Sequence, residues 1–178
     1  MSKSGLEIER KFLVRIPDIP VGAVRKRIHI LQTYLVSGQD GSQRRVRRIT
    51  ENGKISYFYT EKIFYTAMTR KETEFEISEG RYSELMAQVN EDYTPIEKQR
   101  ICFEYSDQLF ELDIYPFSDR LAIMEIELSD PEQNINFPHF VEVIREVTGI
   151  DSYSNGALAN AGAFPDDADR CKTAEGVI

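Results

Sequence analysis

Leu6-Glu7-Ile8-Glu9-Arg10-Lys11-Phe12 alternates, and the alternation decides the fold. In an extended chain Glu7, Glu9 and Lys11 share one face, while Leu6, Ile8, Arg10 and Phe12 share the other. The same period of two recurs as far as Leu128 and predicts strands over Leu6–Val14, Ile30–Val36, Gln43–Ile49, Lys54–Lys62, Arg70–Ile77, Ile96–Tyr105, Gln108–Tyr115 and Leu121–Leu128. Turn-like segments separate them: Ser37–Gly41, Glu51-Asn52-Gly53 with its hairpin-favouring Asn-Gly pair, Ser106-Asp107 and Pro116–Asp119. Eight strands with short connections predict an antiparallel sheet closed into a barrel.

Helical periodicity interrupts this pattern. Tyr82, Leu85, Met86 and Val89 form an apolar stripe after a cap at Ser78. Val141, Ile144 and Val147 form a second stripe between Pro138 and Gly149. Short helices are also expected at Asn155–Ala161 and within Pro20–Ile30. Residues 1–161 read as one domain, and 162–178, with Asp166, Asp167 and Asp169, as a flexible acidic tail.

The polar faces carry the chemistry. Glu111 and Asp113 alternate with Leu112 and Ile114, and Glu125 and Glu127 with Met124, Ile126 and Leu128. Glu72 and Glu74 share a face, as do Arg45 with Arg47 and Lys98 with Arg100. A solvated face ordinarily mixes Lys, Glu, Thr, Ser and Gln; these strands carry ionisable groups of mostly one sign each. Carboxylates two apart on a strand lie roughly 7 Å from each other and repel unless cations intervene. Such strands face each other across an enclosed space, so the barrel has a charged lumen and apolar outer faces covered by helices. The lumen acids are then Glu7, Glu9, Glu72, Glu74, Glu111, Asp113, Glu125 and Glu127; the bases are Lys11, Arg45, Arg47, Lys62, Arg70, Lys98 and Arg100. Bare carboxylates select hard cations such as Mg²⁺, Mn²⁺ or Ca²⁺, and Lys and Arg supply donors for phosphate oxygens. The pattern points to metal-assisted phosphoryl chemistry. A purely structural ion-pair network is the alternative.

Composition bounds the function. Of 178 residues, 41% are hydrophobic and 29% charged, which excludes wholesale disorder. No apolar run approaches the roughly 20 residues of a membrane-spanning helix. Met1 to Arg15 is charged throughout, so no secretory leader is expected. Cys102 and Cys171 are far apart and only His29 and His139 are present, which supports neither a disulfide framework nor a zinc site. The expectation is a cytoplasmic domain with no membrane partner. The net charge of −8 repels nucleic acid, so the Arg44–Arg48 run is not read as a polymer-binding strand.

Glu7-Ile8-Glu9-Arg10-Lys11 resembles the E-x-E-x-K signature of the CYTH family, the triphosphate tunnel metalloenzymes. The resemblance continues in order through Gln32-Thr33-Tyr34-Leu35 (Q-x-Y-L), Arg45-Val46-Arg47 (R-x-R), Thr60-Glu61-Lys62 (T-x-K) and Arg70-Lys71-Glu72-Thr73-Glu74 (R-x-E-x-E). It then runs through Lys98-Gln99-Arg100 (K-x-R), Glu111-Leu112-Asp113 (E-L-D) and Glu125-Ile126-Glu127 (E-x-E), to Val147-Thr148-Gly149 and Tyr153-Ser154-Asn155. It implies an α+β fold, an eight-stranded antiparallel tunnel that binds a triphosphate group with Mg²⁺ or Mn²⁺. Lys11, Arg45, Arg47, Lys62, Lys98 and Arg100 are implied to hold phosphate oxygens, with Glu72 and Glu74 in the wall orienting those bases. Glu7, Glu9, Glu125, Glu127 and Asp113 are implied metal carboxylates. Lys98, Lys11 and Tyr34 are the candidate catalytic set: a Tyr34 phenol facing the lumen near Lys98 would position or deprotonate a water, a packing residue being the alternative reading. The opening is most similar to the inorganic-triphosphatase branch. An adenylate cyclase, a thiamine or nucleoside triphosphatase, or a non-catalytic polyphosphate or nucleotide sensor stay open on the same fold, as does a homodimer. Phe64, Tyr65 and Met68 in the unmatched segment Ile63–Thr69 read as a lid or a loop.

Overall fold

The alternating segments form nine strands and two short helices in the computed structural model, which describes residues 3–66 and 69–165. In chain order these are β1 Lys3–Arg15, β2 Val24–Leu35, β3 Gln43–Glu51, β4 Lys54–Phe64, β5 Thr69–Ile77, α1 Glu79–Leu85, β6 Ile96–Tyr105, β7 Gln108–Ile114, β8 Leu121–Leu128, β9 Val143–Glu146 and α2 Asn155–Ala161. Asn52 (φ 50°) and Gly53 (φ 78°) turn β3 into β4, and Ser106 (φ 49°) with Asp107 (φ 59°) turns β6 into β7. Two consecutive left-handed residues are what a two-residue hairpin matched to strand twist requires.

The strands follow the order β5-β4-β3-β2-β6-β7-β8-β1, and β1 pairs back onto β5, closing an antiparallel eight-stranded barrel. The long first strand makes the seam. Its first half pairs with β5 through Lys3–Ile8, and its second half with β8 through Ile8–Arg15. Beyond Ile8 one edge of β1 has left β5, and its backbone groups need new partners. β9 supplies them, with Phe12 opposite Glu146 and Val14 opposite Val143. The helix expected around Val141, Ile144 and Val147 is therefore absent: β-branched residues beside an open edge form a strand. The helix expected within Pro20–Ile30 shrinks to a 3₁₀ turn at Val21–Ala23, and β2 starts at Val24.

Both remaining helices form where their caps place them. Ser78 Oγ accepts from the Arg81 N–H at 3.1 Å, and Ser154 Oγ from the Ala157 N–H at 3.2 Å. α1 ends at Leu85, short of the expected Val89, and continues as a 3₁₀ turn over Met86–Gln88. It seats Leu85 on Leu35 and Val46 of the outer wall.

The largest apolar cluster lies on the outward faces of β1, β6, β7 and β8: Phe12, Phe103, Phe110, Leu112, Met124 and Ile126. Its cover is mostly not helical. Ile135, Phe140 and Val141 from the irregular segment before β9, with Val143, lie over it. A second cluster plugs one end of the barrel, where the inward positions of β1 and β8 change from charged residues to Leu13, Ile123 and Leu121. These pack with Ile96, Tyr115, Val147, Tyr153 and Leu158 of α2. Phe164 meets the rings of Tyr115 (5.9 Å) and Phe117 (5.5 Å), so packing continues past Gly162, where a tail was expected to begin. Residues 166–178, with Cys171, and Met68 lie outside the described residues.

Phe103 is fully buried and stacks on Phe110 at 5.4 Å. Phe103→Ala is expected to lower the unfolding free energy by about 3–5 kcal/mol, measured by urea denaturation. A loss below about 1 kcal/mol would show that this face does not anchor the barrel.

Candidate active site

Residues directly opposite in neighbouring strands share a face, so the register assigns the lumen. Tyr34 lies opposite Arg45, Gln32 opposite Arg47, and Arg47 opposite Phe58. Lys62 lies opposite Glu72, Arg100 opposite Asp113, Glu111 opposite Glu125, and Glu9 opposite Glu127. Arg44 points outward instead, its Nε donating to Tyr59 Oη at 2.9 Å and its Nη2 to Gln88 Oε1 at 3.1 Å.

Read around the barrel, the lumen is polarised. β7, β8, β1 and β5 are contiguous and carry all eight inward acids. β6, β2, β3 and β4 complete the circle and carry Lys98, Arg100, Arg45, Arg47 and Lys62, and no acid from these four strands lines the cavity. Lys11 and Arg70 are the cations set into the acidic arc. Between the arcs lies a cavity of about 510 Å³ lined by Glu7, Glu9, Lys11, Gln32, Arg45, Arg47, Lys62, Arg70, Glu72, Glu74, Lys98, Arg100, Glu111, Glu125, Glu127 and Asn155. A second cavity of about 620 Å³ shares Glu9, Lys11, Arg45, Lys62, Arg70 and Asn155 with the first. It extends past Tyr34, Tyr93 and Phe64 towards α2.

Ion pairs tie the arcs together. Lys11 Nζ bonds Glu125 Oε1 at 2.6 Å and lies 3.1 Å from Glu9 Oε1. Lys62 Nζ lies 2.6 Å from Glu72 Oε2, with Arg45 on the other oxygen at 3.5 Å. Arg70 Nη2 reaches Glu9 at 2.5 Å and Glu7 at 3.2 Å. Arg47 pairs with Glu74, which also accepts from Thr60 Oγ1 at 2.9 Å. Arg100 grips both oxygens of Asp113, at 2.6 and 2.7 Å, and Glu125 at 2.7 Å.

The protonation of these groups follows from which charge is in excess locally. Burial, with Arg45 and Arg70 beside it, pushes Lys62 down to about 7 although Glu72 opposes. Burial and Arg100 push Lys98 down to about 8 against the pull of Asp113. Burial works against an ionised Glu72, but Lys62, Arg45 and Arg70 hold it well below the usual carboxylate range. Lys11 is the reverse case: despite its burial, Glu125 and Glu9 hold it above the ordinary lysine range. Glu7 is raised by burial and by Glu72, with Glu127 adding to the effect. A raised carboxyl marks a place short of positive charge.

That shortage bears on a metal. Among the described residues no three His, Cys, Asp or Glu converge on a preformed site. The acidic arc nevertheless offers only carboxylate oxygens, the donor set of a hard divalent cation, and Glu7 beside Glu127 lies where one would relieve repulsion. Glu9 and Glu125 flank this place but are engaged by Lys11, Arg70 and Arg100. Asp113 does not fit its implied role as a metal carboxylate. It is fully buried, does not line the cavity, and both its oxygens are taken by Lys98 and Arg100. Its place is behind the cations, holding them.

Tyr34 faces inward, 5% exposed, and packs against Tyr93 at 4.8 Å. Burial pushes its phenol up, so it stays protonated at neutral pH, a donor rather than a base. Gly156 opens α2 with no room for a side chain: an added Cβ would lie 2.7 Å from the Tyr93 ring. Asn155, readable as a helix brace, lines both cavities; its Oδ1 accepts from Tyr115 Oη at 2.8 Å and Lys98 Nζ at 3.4 Å. Gln32 also lines the tunnel. Its parity with Tyr34 was available in sequence, but no charged residue of β2 lines the cavity to draw attention.

No family model matches the sequence, and no curated protein matches it significantly. Crystal structures of the inorganic triphosphatase NE1496 are similar to it at 30% identity. One covers 89% of this chain and 99% of NE1496 with a TM-score of 0.53, and another 85% and 96% with a TM-score of 0.52. The chain belongs to the CYTH, or triphosphate tunnel, family. PH1819 from Pyrococcus horikoshii OT3, at 19% identity and a TM-score of 0.54, shares the fold over 70% of this chain and 80% of its own. Among the described residues no helix is long and apolar enough to cross a membrane.

Lys62 and Lys98 set a pH dependence for the ligand-free protein. Their folded pKa values lie below the unfolded lysine value, so between about pH 7 and pH 10 the unfolded chain binds more protons. Their contribution to stability therefore rises with pH across that window. Thermal midpoints measured through it should show a smaller pH slope in Lys62→Met than in wild type; identical slopes would refute the depressed pKa of Lys62.

Proposed function

We propose that this protein hydrolyses inorganic triphosphate to pyrophosphate and phosphate inside the tunnel, with Mg²⁺ or Mn²⁺. The observation that carries the reading is the segregation of charge: five cations on contiguous strands face the cavity with no acid among them. A chain of phosphates needs such a wall, because each phosphoryl unit presents acceptor oxygens along its length. The similarity to NE1496, an inorganic triphosphatase, supports the same substrate class.

Arg45, Arg47, Lys62, Lys98 and Arg100 bind the non-bridging oxygens, and Lys11 reaches the chain from the acidic side. Glu72 and Glu74 hold Lys62, Arg45 and Arg47 in place. Water adds to a terminal phosphorus, the bridging P–O bond breaks, and pyrophosphate leaves. Lys98 and Lys62, near neutrality in the empty tunnel, take up protons as the anion enters and then oppose the charge growing on the leaving group. The Tyr34 phenol donates to the water or to a phosphate oxygen. Glu7, Glu9, Glu125 and Glu127 would hold the divalent cation, which when bound neutralises phosphate charge and acidifies water. Electroneutrality supports its presence: the eight lumen acids and seven lumen bases already leave the lumen slightly negative. A polyanion entering alone would unbalance it.

The second cavity favours one further reading. With Tyr34, Tyr93 and Phe64 on its walls, it offers aromatic surface to an organic group carried on the triphosphate.

Phosphate release from inorganic triphosphate with Mg²⁺ or Mn²⁺, beside ATP and an EDTA blank, tests the proposal. Fast, metal-dependent release from triphosphate and little from ATP is expected; cyclic AMP from ATP, or binding without turnover, would refute it. Lys11→Ala and Glu125→Gln should each lower kcat/KM by about 100-fold or more, and near wild-type turnover in both would remove them from the site. Titration calorimetry near pH 8 in buffers of different ionisation enthalpy should show net proton uptake on triphosphate binding. A buffer-independent heat would contradict the role given to Lys62 and Lys98.

A further inference from the structure

We propose that Gln32 is a substrate-contacting residue, its Nε2–H donating to a non-bridging oxygen of the phosphate chain held in the tunnel. The proposal rests on the triphosphatase reading and deepens it. Gln32 lies in the second half of β2, one of the two inner strands of the basic arc. It lies opposite Arg47 on β3 and Ile96 on β6. The flanking inward positions, Ile30 and Tyr34, lie opposite Lys98 and Arg45.

The side chain is 1% exposed and lines the cavity, yet neither Nε2 nor Oε1 has a hydrogen-bond partner. A buried amide without partners destabilises the fold that holds it, and a residue serving the wall alone would bond to the wall. The Nε atoms of Arg45 and Arg47 are also buried and without partner. Three N–H donors on two neighbouring strands therefore lack an acceptor in the same stretch of wall. The missing complement is a group rich in acceptor oxygens and free of donors, as a phosphate chain is. Oε1 is left for a water.

Charge separates this role from that of the cations. Gln32 adds a directional donor without a further positive charge, so its loss weakens the hold on the chain without altering the charge of the lumen. The effect falls on KM rather than kcat, because a neutral donor to a non-bridging oxygen is engaged alike before and during cleavage of the bridging bond.

Gln32→Leu and Gln32→Met remove the amide and keep the bulk. In the full chain without ligand, both are expected to melt at or above the wild-type midpoint, since an unpaired amide has been removed. The rise in midpoint produced by inorganic triphosphate, with Mg²⁺ and with EDTA, should shrink, and KM for triphosphate should rise by about tenfold or more. A lower ligand-free midpoint in both variants with unchanged KM would overturn the proposal and make Gln32 a brace. A fall in kcat with KM and the ligand-induced rise unchanged would overturn it equally. If wild type itself shows neither hydrolysis nor a triphosphate-dependent rise, the triphosphatase reading has failed. Normal wild type with an unaffected variant would sink the Gln32 contact alone.

Discussion

Everything in this barrel depends on keeping fifteen ionisable groups inside a closed sheet. An isolated charge in a protein interior carries a desolvation cost of several kcal/mol even after relaxation. The fold meets that constraint by pairing. Asp113, fully buried, is enclosed by Lys98 and Arg100; Glu125 lies between Lys11 and Arg100; Glu72 lies among Lys62, Arg45 and Arg70. The pairs cross from strand to strand, so a one-residue slip in any register would carry the charges outward and the outer apolar residues inward.

The order of the strands turns this balance into a gradient. Chain order scatters acids and bases, and closure sorts them. The β1–β5 seam brings Glu7 beside Arg70, and the β1–β8 pairing brings Glu9 beside Glu127. Neighbouring carboxylates on one face repel, and Lys11 and Arg70 are the cations placed among them. Ligand-free, the tunnel is nearly neutral but internally strained in charge, with Glu7 raised on one side and Lys62 and Lys98 lowered on the other. A metal-bound phosphate chain relieves both sides together, cation towards acids and anion towards bases.

How much of this was legible depended on whether a residue's surroundings are written near it. Alternation is local, so Glu7, Arg45, Lys98 and Glu125 could be assigned to one inner surface, and Ser78 announced α1 by its cap. β9 was not legible, because it exists only where β1 leaves β5, a consequence of closure. Phe164 was lost in the same way: its partners Tyr115 and Phe117 are far off in sequence. Asp113 had the right parity for a ligand, but parity does not say that Lys98 and Arg100 stand between it and the cavity. The polarised arcs were half visible, since single-sign strands could be read but not which strands adjoin.

The same constraint explains why β2 brings no charge to the cavity. It lies between the strand carrying Arg45 and Arg47 and the strand carrying Lys98 and Arg100, and beside them its inward positions are Ile28, Ile30, Gln32 and Tyr34. Burial, with the neighbouring arginines, already lowers Lys62 and Lys98 below the lysine range. A lysine at position 32 would have no carboxylate to face and would lose its proton to burial. A carboxylate would seize the neighbouring cations and take them from the ligand. A neutral amide escapes both outcomes, since it offers a donor to an anion while leaving every ion pair around it intact. A neutral residue on this strand therefore adds no further positive charge to a wall in which Lys62 and Lys98 are already lowered.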